Sequence, residues 1–281
     1  MAHEHQQVGS LLQEANLALE GSGSPSLDCQ LILAFALGQT REWLIANSDR
    51  KICEKQADEF RNLILRRKQR EPVAYILGRK EFWNSQLAVT RDTLVPRPET
   101  ELLVETLLNK FDDTPRLVVD LGTGSGAIAV ALASERPNWQ IVGVDISQGA
   151  LEVAKGNGSS FPKLSWMQGF WGNALRDNCF DLLVCNPPYI AENDPYLDHL
   201  GCEPQVALVS DDNGLADLYL VIQEARHLLK PGGHVLLEHG HDQQQQVCNR
   251  LKDSDFDALP LADLQGHPRA VLARKGIQVL P

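Results

Sequence analysis

The chain has 281 residues, 43% of them hydrophobic, and a formal net charge of −11, which is enough apolar chain for a sizeable core and for two domains. No window reaches the roughly 18–20 unbroken apolar residues that a membrane span requires, and the start MAHEHQQVGS lacks the features of a secretory signal or transit peptide, so a cytoplasmic location with no membrane contact is expected. Residues 1–90 balance 11 basic against 11 acidic side chains, so the whole excess of −11 falls on residues 91–281, a body ill suited to neutralising nucleic-acid phosphates.

Helical periodicity dominates the first part of the chain. Leu11, Leu12, Ala15, Leu17, Ala18 and Leu19 mark a short amphipathic helix that GSGSPS ends. Ser26 with Asp28 is placed to cap a second helix, LDCQLILAFALG, and Gly38 to stop it. Two more helices are expected over residues 40–47 and 53–69, with no strand signal between them. Residues 1–80 therefore read as a small all-helical recognition domain. Near its end, residues 61–80 set Arg61, Arg66, Arg67, Lys68, Arg70, Arg79 and Lys80 against Glu71 alone; this is either a solvated helix face or a docking patch. EFWNSQLAVT then implies a hairpin about an Asn-Ser turn, so residues 81–94 read as a hairpin linker.

From residue 95 onward, short apolar runs alternate with helical stretches. The runs cover residues 116–122, 140–147, 163–168, 181–186, 233–240 and 269–275, and the helices 126–136, 147–156 and 215–230. This alternation predicts an α/β domain over residues 95–281, with a mostly parallel sheet covered by helices on both faces. Ligands of such sheets bind beyond the C-terminal strand ends. Gln243 to Gln246 reads as an exposed helix face. The six cysteines form no Cys-x-x-Cys pair, and His234, His239 and His241 lack companion ligands at metal-site spacing, so no metal is expected.

Two strand ends carry chemistry. The first runs through Asp120, Leu121, Gly122, Thr123, Gly124, Ser125 and Gly126 into the helix AIAVALASE. Its glycines let the backbone turn sharply and approach a ligand at the positive end of a helix. The second ends at Asp145, 19 residues past Gly126, where a carboxylate can accept both hydroxyls of a ribose. Together they point to an adenosine-containing ligand, leaving nicotinamide, flavin and S-adenosylmethionine sites open.

The stretch CNPPYI decides further. Asn186 and Pro187 each precede a proline, which holds both extended, and Pro187 and Pro188 have no N–H. Such a corner presents carbonyl oxygens. A planar NH2 group can donate one hydrogen to the Asn186 side-chain oxygen and the other to the Pro187 carbonyl, while the Tyr189 ring closes one side. An amide nitrogen held so is a methyl acceptor for a sulfonium donor, because its weak, delocalised lone pair reacts only when aimed.

DLGTGSGAIA, VGVDIS and CNPPYI at these separations resemble the class I S-adenosylmethionine-dependent methyltransferases that modify planar nitrogens. EPVAYILGRKEFW, LVPRPETELLVE, CEPQVALVSDDNGL, LLKPGGHVLLEHG and DLQGHPRAVLARK narrow the resemblance to the HemK family of peptide chain release factor glutamine methyltransferases. It covers nearly the whole chain. It implies a seven-stranded Rossmann-like sheet behind a helical N-terminal domain, and methylation of the glutamine in the Gly-Gly-Gln motif of release factors by a monomer, with no direct nucleic-acid substrate. Ribosomal-protein glutamine or nucleic-acid amine methylation, or cofactor binding without turnover, are the alternatives. Carried over by position, the cofactor set is Asp120, Gly122, Thr123, Gly124, Ser125, Gly126, Asp145, Trp171 and Asn186. Asn186, Pro187, Pro188 and Tyr189 would clamp the glutamine. Arg97 and Glu99 of PRPETE either cap the following helix or shape the substrate channel, and Glu203-Pro204 is expected to anchor a loop over the site. The chain departs from the family at Phe170, where an acidic residue usually precedes the tryptophan and contacts the adenine amino group.

Overall fold

A computed structural model describes residues 6–277; residues 1–5 and 278–281 of the two expected domains lie outside that range. The chain divides into two compact units, Met1–Arg79 and Lys80–Pro281.

The first unit packs α1 (Val8–Ala18), α2 (Pro25–Leu37), α3 (Arg41–Ala46), α4 (Glu54–Lys68) and α5 (Val73–Leu77) around Leu11, Ile32, Leu33, Leu44 and Phe60, all almost fully buried. Leu17 departs from the expected apolar face and stands exposed. The cap of α2 also differs from expectation. Pro25 takes the first helical position and Ser24 the cap, because proline is pre-set for that turn and needs no N–H partner there; Gly38 ends the helix in the left-handed region at φ 62°. Two features escaped the periodicity, the five-residue α5 and a two-residue pairing of β1 (Gln6–Gln7) with β2 (Lys51–Ile52), since neither is long enough to show a repeat. The basic run is largely engaged within the unit. Arg66 binds Glu71 through two hydrogen bonds of 2.8 and 2.9 Å, Arg67 meets Asp28 at 2.8 Å, and Arg61 bridges Glu54 and Asp58. The helix-face reading thus fits these three arginines better than a free docking patch.

The second unit begins with the hairpin of β3 (Arg79–Phe82) and β4 (Ser85–Ala88). The turn falls at Trp83-Asn84, one residue earlier than expected, with Trp83 at φ 52°. This segment is more than a connector, because Phe82 and Leu87 are buried in the unit's core. A short 3-10 turn, Pro98–Thr100, leads into α6 (Glu101–Lys110).

There follow β5 (Leu117–Leu121), α7 (Ala127–Glu135), β6 (Gln140–Asp145), α8 (Gln148–Asn157), β7 (Leu164–Gln168), β8 (Phe180–Cys185), the single turn α9 (Asp211–Gly214), α10 (Ala216–Leu228), β9 (Leu229–Glu238), α11 (Gln244–Asp253), β10 (Phe256–Ala262) and β11 (Pro268–Lys275). The seven-stranded sheet has the order β10-β11-β9-β8-β5-β6-β7. Its pairs are parallel except β10–β11 and β11–β9. The strand periodicity of two divides the core: Val118, Leu182, Val184 and Leu236 face α6 and α7 on one side, while Val119, Leu183, Val235 and Leu237 face α10 and α11 on the other. Each such buried side chain contributes roughly 1.5–3 kcal/mol.

Strand β10 was absent from the apolar runs read in the sequence. It lies at the sheet edge and holds Pro260, and an edge strand tolerates a proline that breaks the usual pattern. Chain order departs from β5 to β6 on one side and to β8 on the other, so a crevice opens above the C-terminal end of β5. Among the described residues no helix is long and apolar enough to cross a membrane.

Candidate active site

At the end of β5 the chain turns through Gly122, Gly124 and Gly126 with φ of 69°, 56° and 80°. Gly126 is irreplaceable on space as well as angle, because a Cβ there would lie 2.7 Å from the Trp166 ring. The turn is stitched to the next strand by a hydrogen bond from Thr123 N–H to the Val144 carbonyl at 2.9 Å. Asp145 stands at the end of β6 and accepts from the backbone N–H groups of Gly124 (2.8 Å) and Ser147 (2.9 Å), one on each oxygen. Each oxygen keeps lone-pair capacity for a ligand. Burial raises the pKa of this carboxyl, partly offset by those N–H donors. Ser147, not Asp145, caps α8, accepting from Ala150 N–H at 3.2 Å.

Gly122, Gly124, Asp145, Trp171, Asn186 and Pro188 line one cleft. Asp120, Thr123, Ser125 and Gly126, expected to touch the cofactor, are buried behind it and absent from its wall. Asp120 supports the turn from beneath, accepting from the Thr123 hydroxyl at 2.6 Å. Trp171 adopts φ 47°, brings its ring to within 3.3 Å of where a Gly122 Cβ would lie, and leaves a buried Nε1–H without a partner. Phe170 is about half exposed at the rim. Among the described residues, Asp92, Asp145 and Asp217 line the cleft and no Lys or Arg does. That field favours a cation and opposes a pyrophosphate, which separates a sulfonium from a dinucleotide.

Across Asn186 lies a second cavity of about 500 Å³, lined by Arg97, Glu99, Pro187 and Tyr189. Leu94, Asn186 and Ala207 belong to both walls. The NPPY corner thus faces two ways: Pro188 toward the first cleft, Pro187 and Tyr189 toward the second. Asn186 Nδ2 donates to Thr100 Oγ1 at 3.1 Å, which turns the amide oxygen away from Thr100. Among the described residues no backbone N–H donates to the Pro187 carbonyl. Tyr189 Oη donates to Glu238 Oε1 at 3.0 Å, and burial with that neighbouring carboxylate pushes the phenol pKa up.

Three supports hold the corner in place. Gln243, expected on an exposed face, is buried and donates to the Tyr189 carbonyl at 3.0 Å; it lies just before α11, where the loop passes over it. Gly214 sits at φ 84°, and a Cβ there would clash with the Tyr189 carbonyl oxygen. Glu203 accepts from Val95 N–H at 3.0 Å and from the Arg97 guanidinium, joining the PRPETE segment to the 200s loop. Pro98 opens the turn before α6, Arg97 stands at its N-cap without a side-chain cap bond, and Arg97 and Glu99 line the cavity.

Residues 10–78 match the PrmC N-terminal domain model and residues 115–271 a methyltransferase domain model. A release factor glutamine methyltransferase of Vibrio cholerae is 43% identical, covering 92% of both chains. That of Shewanella oneidensis is 43% identical over 87% of both, and that of Escherichia coli 40% over 84% of this chain and 87% of its own. The chain belongs to the release factor glutamine methyltransferase family. In fold it is similar to a methyltransferase from Pyrococcus furiosus, with a TM-score of 0.52 at 17% identity over 68% of this chain and 89% of that one.

Members of this family are S-adenosylmethionine-dependent, and the first cleft fits that cofactor: a glycine turn whose Gly122 and Gly124 take left-handed conformations, a carboxylate with spare acceptors, apolar Ile146 and Phe170 at the rim, and an acidic wall for the sulfonium. Thr100, Glu238, Gln243 and Gly214 escaped the sequence reading of the methyltransferase site. Glu238 carried the only available signal, a carboxylate closing an apolar strand at the ligand-binding edge of the sheet. Among the described residues no cluster of three or more His, Cys, Asp or Glu could hold a metal.

Proposed function

We propose that this protein transfers the methyl group of S-adenosylmethionine to the side-chain amide nitrogen of the glutamine in the Gly-Gly-Gln motif of peptide chain release factors. The observation that carries the reading is Asn186 standing in the common wall of an acidic cofactor cleft and a separate cavity. When bound, S-adenosylmethionine supplies a methyl group on a positively charged sulfur, and transfer leaves a neutral thioether and one proton lost from the alkylated amide to water.

The protein's part is orientation. In this reading the Asn186 oxygen and the Pro187 carbonyl accept the two amide hydrogens, which turns the nitrogen lone pair toward the cofactor side of the wall. Tyr189 packs against the carboxamide plane, Pro188 closes the cofactor side, and Arg97 with Glu99 flanks the entering peptide. Asp145 holds the ribose, Gly122 and Gly124 the methionine end, and Trp171 and Phe170 the adenosine, with Phe170 offering a ring face where the family resemblance implies an acid. Asp120, Thr123, Ser125 and Gly126 shape the turn from behind. Holding reacting groups in line is worth up to about 7–11 kcal/mol in intramolecular models, which suffices for a poor nucleophile without a general base.

A monomer working in the cytoplasm completes the reading. The test is transfer from labelled cofactor to a recombinant, unmethylated release factor, followed by peptide mass spectrometry. One added methyl on the Gly-Gly-Gln glutamine is expected. Labelling of DNA or of a ribosomal protein, with the release factor untouched, overturns the substrate assignment.

A further inference from the structure

One carboxylate on the wall of the cofactor cleft has no role in the proposed reaction. Asp145 carries a backbone N–H on each oxygen, and Asp92, which is exposed, accepts from the Thr90 hydroxyl at 3.1 Å. Asp217 differs from both. It is half-buried and lines the cleft, yet among the described residues its carboxylate accepts no hydrogen bond and meets no cation. It is the second residue of α10, whose N-terminus has no side-chain cap bond, so Asp217 does not serve as a cap. A carboxylate withdrawn from water without a partner is unfavourable unless a ligand supplies the donor.

The first turn of α10 is fixed against the NPPY corner. Asp217 N–H donates to Ser210 Oγ at 2.9 Å, Ser210 is buried, and its own N–H donates at 2.9 Å to the carbonyl of Ile190, the residue after Tyr189. Asp217 is thereby tied to the segment that carries Asn186.

The sheet order tells which end of the cofactor it meets. The central strands run β8-β5-β6-β7, and the cleft crosses their ends from Asn186 and Pro188, past Gly122 and Gly124, to Asp145 and on to Gly169 and Phe170. With the ribose at Asp145 and the base toward β7, the amino-acid end of the cofactor lies over β5 and β8. The end of β8 is two strand spacings, roughly 10 Å, from that of β6, and α10 packs against β8 and β9. The amino-acid end is a zwitterion. Its carboxylate suits the glycine turn at the positive end of α7. Its ammonium has three N–H donors to place, whereas the sulfonium has none. Among the described residues, Asp217 is the carboxylate on the β8 side of the cleft.

We propose that Asp217 receives the α-ammonium group of S-adenosylmethionine in a charge-assisted hydrogen bond, anchoring the amino-acid end of the cofactor beside Asn186. This rests on the cofactor placement given above and is independent of which acceptor is methylated.

The experiment measures, by calorimetry, the affinity of S-adenosylhomocysteine and of its analogue lacking the α-amino group for the wild type and for Asp217→Asn. Both ligands are neutral thioethers, so the sulfonium plays no part in the comparison. The wild type should prefer S-adenosylhomocysteine by about tenfold to a hundredfold. Asp217→Asn keeps the shape and removes the charge; it should lose most of that preference, with weaker binding of S-adenosylhomocysteine and binding of the deaminated analogue within about twofold of wild type. The wild-type comparison needs no substitution, so it decides the matter even if the variant fails to fold. A wild type that binds both ligands equally, an Asp217→Asn protein that keeps the full preference, or one that weakens both ligands alike overturns the inference. No binding of S-adenosylhomocysteine to the wild type overturns the cofactor placement and this inference with it, whereas a wild type that shows the expected preference but leaves release factors unmethylated overturns only the substrate assignment.

Discussion

Asn186 is the residue on which orientation and cofactor access meet, since it lines both clefts and its amide is held from behind by Thr100. Replacing it with alanine removes an acceptor and leaves the glycine turn and Asp145 intact. Asn186→Ala should therefore bind S-adenosylhomocysteine nearly as wild type by calorimetry, while methyl transfer to a release factor falls about a hundredfold or more. Asp120 shows the opposite balance. Burial raises its pKa to about 7, with Asp145 adding to the rise and Thr123 opposing it. Between the usual carboxylate range and pH 7 the folded chain holds a proton that the unfolded chain has released, so this group's contribution to stability falls as pH rises through that window. Asparagine cannot ionise and can still accept from Thr123. Asp120→Asn should raise the thermal midpoint at pH 8, and the gain should shrink toward pH 5; a gain independent of pH would show that Asp120 is not the titrating group.

At the scale of elements, the NPPY corner depends on a turn distant in sequence. Asp212, Asn213 and Gly214 all take left-handed conformations, at φ 53°, 55° and 84°, and this brings the α9 backbone directly beneath the Tyr189 carbonyl. Gln243 then clasps both segments, donating to the Tyr189 and Asn213 carbonyls. A methyl group on Gly214 has no place to go but into that carbonyl. Gly214→Ala should destabilise the protein by about 1–3 kcal/mol in denaturant titration, and should reduce turnover more than it reduces cofactor affinity, because the displaced atom belongs to the substrate side. Equal losses in both would mean that the two clefts move as one.

For the whole molecule, the two units have separate cores: one around Ile32, Leu33 and Phe60, the other on the two faces of the seven-stranded sheet. Every residue of the cofactor cleft lies in the second unit. A chain of residues 79–281, which keeps the β3–β4 hairpin whole, should fold and bind S-adenosylhomocysteine within severalfold of the full-length affinity. Its release factor KM should be raised if the first unit contributes substrate recognition; an unchanged KM would assign recognition to the second unit alone.

The local pattern of this chain determined its architecture class, six of the seven strands, the glycine turn at the end of β5, Asp145 and the proline-locked corner, because each is written in consecutive residues or in a short period. The edge strand was hidden by Pro260, and the helix α5 and the pairing of Gln6–Gln7 with Lys51–Ile52 by their brevity. Only tertiary structure decided which of the glycine-turn residues reach the cleft and which stand behind it. Only tertiary structure, too, brought Thr100, Glu238, Gln243 and Gly214 to one corner from four separate elements. A hydrogen bond between residues 86 positions apart, such as Asn186 to Thr100, leaves no period in the sequence, since it is the sheet order that sets the distance.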